Sequence, residues 1–273
     1  YLLRNKIARI PRMSGFRSVN SANPCFDLRQ VYTLPPKCAV KSLHAQMAYL
    51  IAPKPCAIAI GHYIMKIISL NIGTPQAQTY RGIAVLTAGH KTPVASAMLR
   101  FTNFDGDRQA DLKNHGGPDK AVCIYSFDHY PFWEATLGEK LEPGAFSENL
   151  TIAGLRESDI CIGDTFRVGE ALVQISQPRQ PCSKLAGKRG SKGLPGIIHE
   201  TSFSGFYLRV LKEGVVKAGD PFELAARHLL GVTVEFANQV MYRRRVDAES
   251  LRRVLAVAEL SAAWRGTLSS RIE

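Results

Sequence analysis

Acidic residues are scarce at the start of this 273-residue chain: the first 64 positions hold nine Lys or Arg and a single acid, Asp27. The remainder is nearly balanced, with 26 basic and 22 acidic residues, so only +4 of the net +12 belongs to it. A body so close to neutral needs no polyanionic partner, and no nucleic acid is expected. Long apolar runs are also missing. A spanning helix needs about 18 such residues, and the nearest stretch, Met47 to Ile60, is broken by Pro53, Lys54 and Pro55. No membrane partner is expected. Gly and Pro together number 37, too few for a collagen-like or Pro/Gly-rich disordered chain. The six cysteines (Cys25, Cys38, Cys56, Cys123, Cys161, Cys182) contain no CxxC pair and no regular spacing. That argues against both a zinc site and a disulfide framework and favours free thiols in a reducing cytoplasm.

What is present suffices for a sizeable core, since 45% of residues are hydrophobic and 21% charged. Residues 1–64 show no period of 2 or 3.6 and carry six prolines. Their Arg-rich composition resembles a transit peptide, but the prolines oppose a sustained amphipathic helix. The segment reads as a disordered, targeting or read-through extension and is set apart from the fold.

Strand patterning begins at Met65. Lys66 to Leu70, Ile83 to Leu86, Ala121 to Tyr125, Thr165 to Val168, Ala171 to Ile175 and Phe206 to Val210 are β-rich runs bounded by turn residues. This spacing predicts a mainly β, α+β body over 65–224: an antiparallel β-barrel with helical insertions. Residues 126–137, ending at Gly138, read as one such helix, with Pro131 in its first turn. Over 225–273 the pattern changes. Thr233, Asp247 and Ser261 are N-cap candidates spaced by 14 residues, each followed by apolar residues at i, i+3 or i+4. They predict a small C-terminal three-helix unit, stable only when packed.

Three stretches carry chemistry. In Gln177-Pro178-Arg179-Gln180-Pro181-Cys182-Ser183-Lys184-Leu185, two prolines stiffen a strand exit, and Arg179 and Lys184 flank a thiol. Nearby cations favour thiolate, which is either a nucleophile or a ligand for a thiophilic metal. Cys123 and Cys161, inside apolar runs, read instead as inert core residues. In Asp105 to Lys120, Gly116 and Gly117 permit converging backbone amides, and His115 and Lys120 add donors for an anion. Asp107, Asp111 and His115 recur at i, i+4, i+8, a rival hard-metal pattern, though turn residues bracket them. Phe146 to Thr151 says little alone, because Glu148 and Asn149 are ordinary turn caps. Tyr125, Phe127, Tyr130, Phe132 and Trp133 read as core packing. The basic run Lys184, Lys188, Arg189, Lys192 reads as a solvated loop, which beside Cys182 would also attract an anion.

Together these stretches resemble the MOSC domain, named after the C-terminal domain of molybdenum cofactor sulfurases, in its YiiM type. The matching residues are TAGHKTPV at 87–94, HGGPDKAV at 115–122, the FxENLT run at 146–151, QPRxPCxKL at 177–185 and GFYLRVL at 205–211, with the three-helix tail. The resemblance implies a β-barrel that binds molybdenum cofactor, with Cys182 as metal ligand. It further implies reduction of small N-hydroxylated substrates such as 6-N-hydroxylaminopurine to the amine. Lys91, His115, Gly116, Gly117, Lys120, Glu148, Asn149, Arg179 and Lys184 are then cofactor-binding positions, and His115 serves with Cys182 in catalysis as proton donor. A separate reductase must supply electrons, since no ferredoxin-like cysteine set follows; a homodimer is compatible with the pattern. Ser147 departs from the family, which usually has Gly there. The alternative is a cofactor carrier or sulfurtransferase that uses a Cys182 persulfide.

Overall fold

A computed structural model describes residues 65–243 and 245–272. The expected extension over 1–64, with Cys25, Cys38 and Cys56, lies outside the described residues. In chain order the strands are β1 (Lys66–Ile72), β2 (Gln76–Tyr80), β3 (Ile83–Thr87), β4 (Thr92–Val94), β5 (Ser96–Leu99) and β6 (Val122–Ser126). They continue with β7 (Leu150–Ala153), β8 (Thr165–Val168), β9 (Ala171–Pro178), β10 (Phe206–Lys212), β11 (Gly214–Lys217) and β12 (Phe222–Ala226). The helices are α1 (Leu112–His115), α2 (Tyr130–Leu137), α3 (Ser183–Lys188), α4 (Leu194–Thr201), α5 (Val234–Tyr242), α6 (Ala248–Leu255) and α7 (Ala262–Ser269).

Eight strands form one sheet in the order β12-β8-β9-β10-β6-β7-β1-β4, while β2 pairs with β3 and β5 with β11. Two features depart from the expected closed antiparallel barrel. The central pair β6·β7 is parallel, with Ile124 opposite Leu150, because the helical insertion between them lets the chain cross over. The sheet also has two ends. What approaches a seam is an isolated bridge between Lys66 and Pro221, supported by Ile67 N–H donating to Asp220 O at 3.0 Å and Phe222 N–H to Met65 O at 2.8 Å. Architecture is thus mixed α+β around a large sheet.

Central position explains composition. All five residues of β6 are buried, as an uninterrupted apolar run predicts. One apolar core joins the sheet residues Ile124, Val173 and Leu208 to Val240, Leu251, Val254, Trp264 and Leu268 of α5–α7. The three C-terminal helices therefore bury their faces into the same core as the sheet. Their starts are the predicted ones: the side chains of Thr233, Asp247 and Ser261 accept from the amides of Phe236, Ser250 and Trp264, supplying the donors' missing partners. The insertion helix α2 begins with Pro131 in its first turn and ends at left-handed Gly138. A second cluster packs Tyr125, Tyr130 and Trp133 with Phe146, Leu185, Leu194 and Ile198. This bears out the core reading for those three aromatics, whereas Phe127 and Phe132 stay partly exposed.

Gly205 shows why a glycine opens β10. Its φ is +70°, and a Cβ there would lie 2.3 Å from the Ile124 carbonyl oxygen, so neither the conformation nor the space admits a side chain.

Candidate functional site: a cationic hollow around Cys182

Five separated stretches converge at the C-terminal end of β9. There the chain leaves the sheet through Pro178-Arg179-Gln180-Pro181, and Cys182 caps α3, its carbonyl accepting from the amides of Leu185 and Ala186. The thiol is half-buried. Burial pushes its pKa up, but the hydrogen bond with His115, the Arg179 guanidinium and the Leu185 amide together outweigh burial and leave it at about 7. Arg179 is held rigidly, its guanidinium donating to Phe146 O at 2.6 Å and its amide to Gly205 O at 2.9 Å.

Cys182 opens on a hollow of about 700 Å³, lined among others by Lys91, His115, Lys120, Asn149, Arg179 and Lys184. With Cys182, these six make seven of the predicted site residues. The others sit elsewhere. Gly116 and Gly117 do not line it: Gly116 is extended and only Gly117 has positive φ (+91°), so the pair does not make the expected amide nest. Glu148 is fully buried beneath the wall. It accepts from Tyr130 Oη (2.7 Å), Thr151 Oγ1 (2.6 Å) and the amides of Gly144 and Phe146. Its observed work is to hold the 144–148 turn.

The hard-metal pattern does not assemble. Asp107 is fully buried and ion-paired to Lys91 at 2.5 Å, and accepts from Gly73 N–H and Asn149 Nδ2. Asp111 caps α1. Among the described residues no group of three or more His, Cys, Asp or Glu could hold a metal ion.

Three other lysines differ from Lys91. Lys120 donates to Asn114 O, Lys184 to Leu86 O, and Lys188 to Gly89 O, Gly144 O and Ser147 Oγ. Among the described residues none forms an ion pair with a carboxylate. Three ammonium groups thus face one hollow with neutral hydrogen-bond partners, while the Asp111 carboxylate in the lining offsets part of the charge at Lys120 and Lys184. Burial, aided by Arg189, brings Lys188 down to about 8. Its place was obscured in sequence because 183–188 reads as a loop; the structure folds it as α3 against Tyr80.

Cys123 was expected to be inert. It is indeed buried, and burial pushes its thiol up, yet it lines the hollow. Register explains this: Cys123 on β6 lies opposite Tyr207 on β10, which lies opposite Gln177 on β9. Directly paired residues point to one face, so the three form a row along the wall. Ser147, also in the lining, has φ +65°, a conformation that favours glycine.

A thiol and a net-positive cluster of lysines outside any ion pair fit a group bearing both a thiophilic metal and a phosphate. The MOSC domain matches residues 111–223, and the YiiM-like 3-alpha helix domain matches 232–273. YflK of Bacillus subtilis (strain 168) is 48% identical over 206 residues, covering 75% of this chain and 93% of that protein. A protein named Reductase from Gibberella moniliformis is 32% identical over 173 residues, covering 62% of this chain but only 30% of its own length. The crystal structure of YiiM from Geobacillus stearothermophilus is similar at TM-score 0.66 and 39% identity, covering 77% of this chain and all of that one. The two domain matches, the sequence identity and the structural likeness lead to one conclusion: the chain belongs to the MOSC-domain proteins of the YiiM type.

Proposed function

We propose that the protein is a molybdenum-cofactor-dependent oxidoreductase that reduces N-hydroxylated compounds, such as 6-N-hydroxylaminopurine, to the amine. The observation that carries this reading is Cys182 itself, a thiol titrating near neutrality beside lysines without carboxylate partners. Cys182 would ligate the metal, and Lys120, Lys184, Lys188 and Arg179 would hold the phosphate and pterin. When bound, the cofactor supplies the two-electron redox chemistry. The protein's share is to bind, orient and manage protons. Conversion of R–NH–OH to R–NH2 and water consumes two electrons and two protons. His115, within hydrogen-bonding reach of Cys182, is placed to deliver a proton to the departing oxygen. The reductase named among its relatives is consistent with this reaction class. Electrons come from a separate reductase, the setting is cytoplasmic, and the sheet's Lys66–Pro221 bridge is the seam of a barrel.

The test is metal analysis of protein made in a cofactor-producing host, paired with N-hydroxylaminopurine reduction. Wild type should carry one molybdenum per chain and turn over, and Cys182→Ala should lose both. A wild type that binds no molybdenum ends the proposal.

A second reading, sulfur transfer, is favoured by one feature: Cys182 is only half-buried and borders a second hollow besides the first, so its thiol is open to a partner's sulfur. An adduct of about 32 Da on Cys182, one sulfur on the persulfide ladder, without turnover would establish it.

A further inference from the structure

The stretch 111–120 brings His115 and Lys120 to the hollow, yet none of its ten residues is buried. It holds only the one-turn helix α1 and a single 3₁₀ turn, Pro118–Lys120, and pieces so short do not stand unaided. Several of its hydrogen bonds are internal: Asp111 caps α1, and Lys120 Nζ donates to Asn114 O at 2.8 Å. With no buried side chain to anchor it, the stretch takes its position from its bonds to the rest of the chain. Among the described residues, one of these is the hydrogen bond between His115 and Cys182, and all the others meet at Asp119. One carboxylate oxygen of Asp119 accepts from Arg209 Nε at 2.9 Å and Nη2 at 2.5 Å. The other accepts from the Ala262 amide at 3.2 Å, and the Asp119 carbonyl accepts from Ser176 Oγ at 2.5 Å. Arg209 is itself fixed by Gln174 Oε1 and Glu259 O. Ser176 lies on β9, Arg209 on β10, and Ala262 is the first residue of α7. Sheet and helical tail thus share one clamp on the residue next to Lys120.

We propose that Asp119 is a positioning residue: clamped by β10 and by the start of α7, it holds the Lys120 ammonium at the hollow, and through it the three-helix tail takes part in anion binding. This rests on the reading above in which Lys120 holds the phosphate. Asp119 lines neither hollow, so it positions an anion only through its neighbour. Charge and position then make opposite demands. The Asp119 carboxylate is close enough to act on the Lys120 charge, so it also repels an incoming phosphate. If charge alone counted, removing it would tighten binding. Removing the clamp frees 111–120 and weakens binding, because an ammonium that must first be ordered gives back part of what its hydrogen bond gains.

The test is calorimetric titration with pyrophosphate of the full chain, made in a host without molybdenum cofactor and held well below its melting transition. Lys120→Met should weaken binding about tenfold, the worth of one hydrogen bond to a charged group. Asp119→Ala should weaken it about fivefold, the ordering cost of one long side chain, although it removes a negative charge. In the Lys120→Met background the same Asp119→Ala change should no longer weaken binding, a coupling that general loosening of the fold would not produce. Ala262→Pro takes away the tail's donor at a helix position that suits proline and should also weaken binding. If Asp119→Ala does not fold, Asp119→Leu makes the same comparison. The proposal is overturned by a wild type that does not bind pyrophosphate, by an Asp119→Ala chain that binds it as tightly as wild type or tighter, or by an equal loss with and without Lys120. An unaffected Ala262→Pro removes the tail from it. A chain that shows this dependence but takes up no molybdenum in a cofactor-producing host defeats the reductase reading and leaves Asp119 its role; a working reductase whose pyrophosphate binding ignores Asp119 does the reverse.

Discussion

Alkylation of Cys182 as a function of pH is the sharpest probe of the site. A group titrating at about 7 is about one-tenth thiolate at pH 6, whereas an ordinary thiol near 8.5 is ionised to about one part in 300. Nucleophilicity falls with pKa, which removes about fivefold of that roughly 30-fold advantage. Cys182 should therefore react at pH 6 about sixfold faster than an unperturbed cysteine, with its rate rising to a midpoint near 7. Peptide mass spectrometry after timed iodoacetamide quenching separates it from Cys123, whose burial pushes its thiol the other way. The lysines should also favour anionic iodoacetate over neutral iodoacetamide, and more so at low salt. His115→Phe removes the largest of the influences that lower the thiol, so its midpoint must move up and its pH 6 rate must fall. A wild-type profile that climbs only above pH 8, or a His115→Phe profile that does not move, would refute the electrostatic account of the site.

The other expectations concern stability and anion binding. Ser147→Gly relieves a left-handed residue at φ +65° and should raise stability by up to about 1 kcal/mol in urea titrations, the loss of the 3.3 Å contact with Lys188 notwithstanding. Glu148→Ala strips four hydrogen bonds from a buried carboxylate and should cost about 3 kcal/mol or more; a loss under 1 kcal/mol would show that the 144–148 turn holds itself. Trp264→Ala should cost about 3–5 kcal/mol in a single cooperative transition if α7 shares the sheet's core, whereas two separate transitions would mean that the helical tail folds by itself. Because the Lys188 ammonium loses its proton as pH rises through about 8, pyrophosphate affinity should fall between pH 7 and 9 in wild type. Lys188→Met should bind weakly at both values.

Local signals were legible. The three helix caps, the Pro131 and Gly138 bounds of α2 and the buried run of β6 depend on neighbours within a few residues, and each is where the sequence puts it. The short strands β4, β5, β7, β11 and β12 were not read as such, for they exist by pairing with partners far along the chain, as β5 does with β11; β2 was also missed, although it forms a local hairpin with β3. Cys182, Arg179 and His115 could be singled out from residue type and spacing, and they meet. Cys123, Tyr207 and Gln177 could not, because only the ladder register places them side by side. Lys188 and Glu148 show the opposite difficulty. Lys188 read as part of a solvated loop and the resemblance set Glu148 at the cofactor, but burial makes one an inward-facing donor and the other a fastener for a turn, the plainer role its residue type had offered.

The row Cys123, Tyr207, Gln177 has a consequence for how this wall can change. Its members come from three strands whose side chains alternate between the wall and the apolar interior, and Phe206 and Leu208, on either side of Tyr207, are buried. A ladder irregularity falls immediately after Tyr207. A single inserted or deleted residue before it would turn β10 over, sending the phenol inward and an alkyl or phenyl group toward the hollow. New specificity can therefore arise by exchanging side chains along the row, while changes in chain length are confined to the turns at the strand ends.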